Sequence, residues 1–407
     1  MPRTYGKART LLRMLGTSAL TAAVVTSLHA RGWFDEIEHL WVDFVSIMYR
    51  PAPSSEVVLV AITDSDFASR FNSTSPLDPG VVAALIDRLD THKPNTVVID
   101  MLLHPTISET GERTKGRHEL LQTLRRVAAG SATRWILVHV PVSEPERKSW
   151  DHGLRLEWEA LEHPSAKESL NLHWASAQIE LDRGVVRYIR TASDQSVDNI
   201  RLLTLFGEAA NEAAPLDVSD AHGEMRRLIR YTGRFIPDGT SLQVVSAGVV
   251  LDSFPRNAPP NDTSAPSMLH DKKIVLGGTH TEGRDSYWTP LGAMPAASIW
   301  AEALDSAKRN SPRPISYVAA FAIETALGVA AGALMLWYGP VVGWLLAATG
   351  LAVLTILATA ISFAWGFAFI SGIPSFWAVQ WHQRIELWRE NRDLRRRLYK
   401  SKGATNG

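Results

Sequence analysis

The sequence predicts an α/β extracytoplasmic domain, a largely parallel sheet with flanking helices, carried by four transmembrane α-helices. Three observations predict it. Short apolar runs without polar alternation are separated by helical segments through residues 56–140, as expected for parallel strands covered on both faces. Charge is segregated: the first thirty residues hold Arg3, Lys7, Arg9 and Arg13 and no acid, while residues 314–381 hold Glu324 alone. Beyond them Arg384, Arg389, Arg392, Arg395, Arg396, Arg397, Lys400 and Lys402 face only Glu386, Glu390 and Asp393. The overall balance, 42 basic and 42 acidic side chains among 407 residues, conceals this arrangement.

Residues 1–11 read as a cytoplasmic N-terminus and 12–30 as a transmembrane anchor. A cleaved signal peptide is the other reading, but cleavage after Ala30 would place bulky Leu28 where a small residue belongs. Residues 314–382 are too long for one span, since 69 residues of helix would reach ~100 Å against a ~30 Å hydrocarbon core. Lys and Arg stay on the cytoplasmic side, so the basic tail, residues 383–407, puts both termini inside and makes the span number even. One span in front then requires three behind, at about 315–337, 341–361 and 364–382, with Tyr338-Gly339-Pro340 marking the first turn. Residues 31–313 are thereby extracytoplasmic. With 30 basic and 38 acidic residues this segment argues against nucleic-acid binding. The absence of Cys removes disulfides, thiolate metal sites and cysteine nucleophiles.

Within the large domain, residues 34–49 read as an amphipathic helix with Ile37, Leu40, Trp41, Phe44 and Met48 on one stripe, joining the first span to the domain. Residues 56–63 (EVVLVAIT) form the first strand. Asp78-Pro79 supplies an N-cap followed by Pro at the first helical position. Val82, Leu85, Ile86 and Leu89 give that helix its buried face, and Lys93-Pro94 ends it. Strands follow at 96–100 and 135–140, with a polar helix between them reaching residue 129. Residues 173–180 and 185–190 flank Leu181-Asp182-Arg183-Gly184 as a hairpin. Strands are expected at 228–231 and 273–277, helices at 242–251 and 296–304, and a loop at 257–266.

The order of these pieces resembles the CHASE type-2 domain, an extracytoplasmic sensory module of bacterial cyclases and histidine kinases. The resemblance is carried by Tyr49-Arg50, by VVLVAITDSD ending at Asp66, by Val97-Val98-Ile99-Asp100, by Asp182-Arg183-Gly184-Val185-Val186-Arg187 and by Ile229-Arg230-Tyr231-Thr232-Gly233. Its most specific part is residues 271–304, DKKIVLGGTHTEGRDSYWTPLGAMPAASIWAEAL. Ser75-Pro76-Leu77-Asp78-Pro79 lacks the Trp and Arg usual there, and Ala296 or Ala297 stands where the family has Gly. The resemblance implies a sensory domain, three spans after it and a homo-oligomer. Family members generally continue into a catalytic output domain, and none is recognised before Gly407.

Asp64, Asp66, Asp100 and His280 fall at the C-terminal ends of expected strands, with His104, Thr279 and Asp285 just beyond. That edge of an open parallel sheet is where ligands bind, so these residues are the ligand-binding candidates. The competing reading is that the aspartates cap helices and tie loops to backbone N–H groups. No metal-ligand spacing such as His-x-x-x-His is present, so no metal and no cofactor is expected. Glu324 is an intramembrane carboxylate, a functional candidate because charge is costly there, or a hydrogen-bonding group between helices. In the tail, Leu387, Asn391, Leu394 and Leu398 repeat at spacings of four, three and four, either a short parallel coiled coil or a basic helix on anionic lipid.

The expected function is a sensor or receptor-like membrane protein, not an enzyme. It would take a small-molecule or protein ligand outside and signal through its spans to a separate cytoplasmic effector. A membrane anchor that recruits an effector enzyme is the alternative. A periplasmic metal-assisted hydrolase using the aspartate and histidine edge is the second alternative.

Overall fold

The computed structural model describes parts of residues 15–49, residues 50–105, 111–139, 142–163, 171–190, 192–197, 200–209, 226–232, 242–253, 268–283, 285–307 and 317–339, and single positions among 342–357 and at 392. The chain divides into two compact units, Asp43–Ser311 and the combination of Met1–Val42 with Pro312–Gly407.

The strands of the larger unit are, in chain order, β1 (Val57–Ile62), β2 (Thr96–Asp100), β3 (Arg134–Val138), β4 (Leu172–Ala175), β5 (Tyr188–Arg190), β6 (Ala192–Val197), β7 (Ile200–Leu203), β8 (Arg226–Leu228), β9 (Gln243–Ser246), β10 (Lys273–Gly278), β11 (Ser286–Thr289) and β12 (Gly292–Pro295). Six form one sheet in the order β4-β3-β2-β10-β1-β9, with every pairing parallel. The pairs β5–β8, β6–β7 and β11–β12 are antiparallel.

The central strand shows why its sequence lacks polar alternation. Val58, Val60 and Ile62 join one apolar cluster with the helices Pro79–Thr91, Glu112–Gly130, His152–Glu162 and Ala247–Asp252. Val57, Leu59 and Ala61 join a second cluster with the helices Leu205–Ala209 and Ala296–Ala307. Successive side chains of a strand point to opposite faces, so burial on both faces demands an apolar residue at every position. Each fully buried Val, Leu or Ile contributes ~1.5–3 kcal/mol, which makes this strand the mechanical centre of the unit.

The first long helix begins as its sequence predicts. Asp78 accepts a hydrogen bond from Gly80 N at 2.9 Å, Pro79 occupies the first turn, and Val82, Leu85, Ile86 and Leu89 are buried. Lys93 adopts a left-handed φ of 51° and precedes Pro94, which stops the helix.

Three local expectations need correction. The segment before Leu181 is not one arm of a hairpin: its strand, β4, pairs with β3 in the main sheet, and β5 pairs with β8. Only the turn survives, with Asp182 and Val185 exchanging hydrogen bonds at 3.0 and 3.1 Å around Arg183 and Gly184, both at positive φ. Residues 242–251 are not a continuous helix. Gln243–Ser246 adds an edge strand to β1, and Ser246 then caps Ala247–Asp252 by accepting from Gly248 N. Val244 and Val245 are β-branched and meet an open strand edge, which outweighs helical periodicity. Among the described side chains of the helix Asp35–Met48, Val42 and Ser46 are buried, whereas Leu40, Phe44 and Met48 of the expected stripe are exposed; Ile37 and Trp41 lie outside the described side chains.

In the smaller unit the helix Tyr317–Tyr338 has 22 residues, with Glu324 as its sole charge. It ends where the turn is expected, at Gly339 with φ 82°. A Cβ built on Gly328 would lie 3.0 Å from Ser18 Oγ, so this helix closely approaches the chain near Ser18. Among the described residues no helix is long and apolar enough to cross a membrane. The side chain of Glu324 lies outside what the structure describes. Most of the expected third and fourth spans lies outside the described residues, as do Leu387, Asn391, Leu394 and Leu398.

Candidate functional site

Strand order locates the site. The chain leaves β1 and β2 toward the face carrying Pro79–Thr91 and Glu112–Gly130, but leaves β10, which lies between them, toward Ala296–Ala307 on the other face. Connections that part in opposite directions open a crevice at the carboxyl ends of the strands. Here the crevice is a cavity of about 230 Å³. Asp100, Gly278, His280 and Asp285 line it together with Leu77, Val82, Met101, Leu103, Arg117 and Pro295.

The structure separates seven residues that look alike in sequence. Asp66 is buried and fully engaged. It accepts from Thr63 N at 3.1 Å, Thr63 Oγ1 at 2.9 Å, Ser246 Oγ at 2.9 Å and Gly248 N at 3.1 Å. It fastens the start of Asp64–Arg70 to the start of Ala247–Asp252. Asp64 is exposed and accepts from Thr281 N at 2.7 Å and Thr281 Oγ1 at 3.1 Å. Thr279 continues the sheet ladder, its N–H donating to Ile62 O at 3.0 Å. His104 lies outside the cavity lining, with Nδ1 2.8 Å from Pro105 O and its ring near Trp150 and Trp158. These four are explained by what they hold together.

Asp100, His280 and Asp285 are different. Asp100 ends β2 and has no hydrogen-bond or ion-pair partner among the described residues. Burial, reinforced by the negative charge of Asp285, pushes its carboxyl up to about 7. Asp285 stands at the open rim. Burial of its carboxyl raises its pKa, and the hydrogen bond donated by Tyr287 lowers it. The Tyr287 hydroxyl is itself pushed up to about 12, by burial first and then by Asp285. His280 stacks on Phe67 with ring centroids 4.3 Å apart, and its buried Nδ1 has no partner among the described residues. No group of three or more His, Asp or Glu among the described residues could hold a metal ion.

One lining residue was not anticipated. Arg117 is 2% exposed and donates from Nη1 to Leu103 O at 2.8 Å. Its position three and seven residues before Leu120 and Leu124 puts it on the buried helical face, a signal present in the sequence.

The raised carboxyl has a consequence for stability. Asp100 binds its proton near pH 7 when folded and near 4 when unfolded. Between those values the folded state holds more protons, so stability falls as pH rises from 4 to 7, and the loss is complete above 7. Asp100→Asn removes that loss while leaving an amide with few partners, which costs ~1–3 kcal/mol. The expected result is a melting temperature a few degrees above wild type at pH 8 and no gain at pH 5, read by thermal denaturation. An equal shift at both pH values would refute the ionised Asp100 as its source.

The fold and cavity define an α/β domain with a crevice at the reversal point of a parallel sheet. The chain belongs to the CHASE2 domain family, whose model matches residues 19–349. CHASE2 domains are extracellular sensory domains, and a sensor role agrees with that membership. The comparison with curated proteins found no match, and neither did that with solved structures.

Proposed function

We propose that the chain is a bacterial inner-membrane sensor whose cavity at the ends of β2 and β10 receives a small ligand outside the cytoplasm. Its membrane helices pass the change to a separate cytoplasmic effector, and the receptor is a homo-oligomer. The observation that carries this reading is the placement of the helix Ala296–Ala307. Its first residue donates to Asp285 O at 2.9 Å, and Pro295 lines the cavity. Its last turns are gripped elsewhere: Glu302 accepts from Thr232 N at 2.9 Å and Thr232 Oγ1 at 2.7 Å, Ser306 Oγ from Arg230 N at 3.0 Å, and Asp305 Oδ1 from Ser54 N at 2.8 Å. A displacement at the cavity end therefore reaches Ser54, six residues after the helix Asp35–Met48. Packed helices shift as units rather than deforming continuously, and a ligand moves the balance only by binding one state better.

The charge segregation along the sequence supports the membrane topology. The natural chain has no Cys, so single-cysteine labelling tests it cleanly. In intact spheroplasts a membrane-impermeant maleimide should modify Lys148→Cys, an exposed position of the larger unit, and should reach Ser401→Cys only after lysis. The reverse pattern would sink the proposal. A cytoplasmic enzyme co-purifying with the tagged chain in mild detergent would identify the effector.

A further inference from the structure

We propose that the cavity between β2 and β10 takes a small organic ammonium ion, with its charged nitrogen on Asp100 and the rim carboxylate Asp285 and its apolar body against Leu77, Val82, Met101 and Leu103. The inference rests on reading the cavity as the sensing site and names the chemistry that the site selects.

Four features select it. The first is size: about 230 Å³ equals the share of seven or eight waters at ~30 Å³ each, room for a compact ligand of roughly six to ten heavy atoms. The second is charge. Among the described residues the charge that shifts Asp100 is that of Asp285, which raises its carboxyl, so two carboxylates share this end of the cavity. The groups around Asp100 come from every neighbouring element: His280 after β10, Asp285 before β11, Tyr287 within β11 and Arg117 from Glu112–Gly130. Arg117 also lines the cavity, and its Nη1 donates to Leu103 O at 2.8 Å. The third is an orphaned acceptor. The buried Nδ1 of His280 lacks a partner among the described residues, and a neutral imidazole nitrogen accepts from an ammonium N–H. The fourth is the wall. Leu77, Val82, Met101, Leu103, Leu120 and Pro295 suit a hydrocarbon body and offer nothing to a hydrated ion.

A divalent metal fits poorly, because Ca²⁺ needs six to eight oxygen ligands and two carboxylates supply too few. An anion would meet Asp100 and Asp285 directly. An ammonium ion supplies the donor that Asp100 lacks, and such charge-assisted hydrogen bonds are the strong ones.

The test uses the full-length chain in detergent and isopentylammonium as the probe, with isovalerate and isopentanol as its anionic and neutral counterparts. Binding is measured by calorimetry at pH 5 and pH 8, where the probe keeps its charge. Isopentylammonium should bind, and on the order of a hundredfold more tightly at pH 8, because below about pH 7 it competes with a proton on Asp100. Asp100→Asn should abolish binding while its thermal unfolding stays cooperative. Affinity independent of pH, or undiminished in Asp100→Asn, overturns the proposal. Binding of isovalerate or isopentanol in preference to the amine overturns the ligand class and leaves the sensing cavity standing. Silence from all three probes overturns the inference, and the labelling and co-purification results then decide the sensor reading separately.

Discussion

Gly277→Ala should lower the melting temperature of the larger unit by ~5–10 °C, and adding Ala297→Gly should restore most of the loss. A Cβ built on Gly277 would stand 2.5 Å from Ala297 Cβ and 3.4 Å from Asp100 Cβ. Neither atom can swing away, because a Cβ is fixed by its backbone. Relief requires moving Ala296–Ala307 away from β10, against the buried Ile299, Trp300, Ala303 and Leu304. Overpacking of this kind costs ~1–3 kcal/mol or somewhat more, and a unit of this size loses ~2–4 °C per kcal/mol. Ala297→Gly alone should cost ~1 kcal/mol through helix propensity. The double variant should therefore be more stable than Gly277→Ala alone, a non-additivity expected only of groups in contact. Simple addition of the two losses, measured by thermal denaturation, would show that the close approach is not real. Gly at 277 on the strand is what leaves room for the Ala297 side chain at the helix entry.

Arg187→Ala should destabilise the larger unit by ~2–4 kcal/mol, near the lower end for breaking a buried ion pair. Arg187 Nε and Nη2 each lie 2.7 Å from a different oxygen of Asp43, and Nη1 donates to Asp182 O at 2.9 Å. The Arg187 side chain is 8% exposed and that of Asp43 24%. The Asp43 hydrogen bond, chief among its causes, raises the guanidinium above its ordinary value. Removing the arginine strands the Asp43 carboxylate and leaves the Asp182 carbonyl with only its bond from Val185 N. Arg187→Lys keeps the charge but loses the two-pronged geometry, so it should recover less than half of the loss. In chemical denaturation, Asp43→Ala added to Arg187→Ala should cost little more. Full additivity would mean the two residues do not act together. Asp43 and Arg187 both belong to the unit Asp43–Ser311, so the pair fastens the first residues of that unit to the turn at 182–185.

The strands were legible where burial is complete. β1, β2 and β10 are continuous apolar runs because both sheet faces are covered, and no polar residue can be tolerated at any position. The helix at 79–91 was legible because capping is chemistry between neighbours, Asp78 with Gly80. The edge strand β9 was not, because four residues carry too little periodicity and only the open edge of β1 makes Gln243–Ser246 extended. The hairpin at 181–184 misled for a related reason. A turn is local, whereas the partner chosen by each arm is not.

The candidate site divides along the same line. From its sequence alone this chain determines a parallel α/β domain, its family, the charge asymmetry of its ends and a set of aspartates and histidines at one sheet edge, all consequences of composition and short-range order. Tertiary structure decided which of those residues are engaged by the fold and which line the cavity. Asp66, four residues after β1, is saturated by Thr63, Ser246 and Gly248, whereas Asp100, the last residue of β2, lines an apolar-walled cavity beside Asp285. Donors that arrive from 180 residues away settle that difference, and no spacing along the chain encodes them.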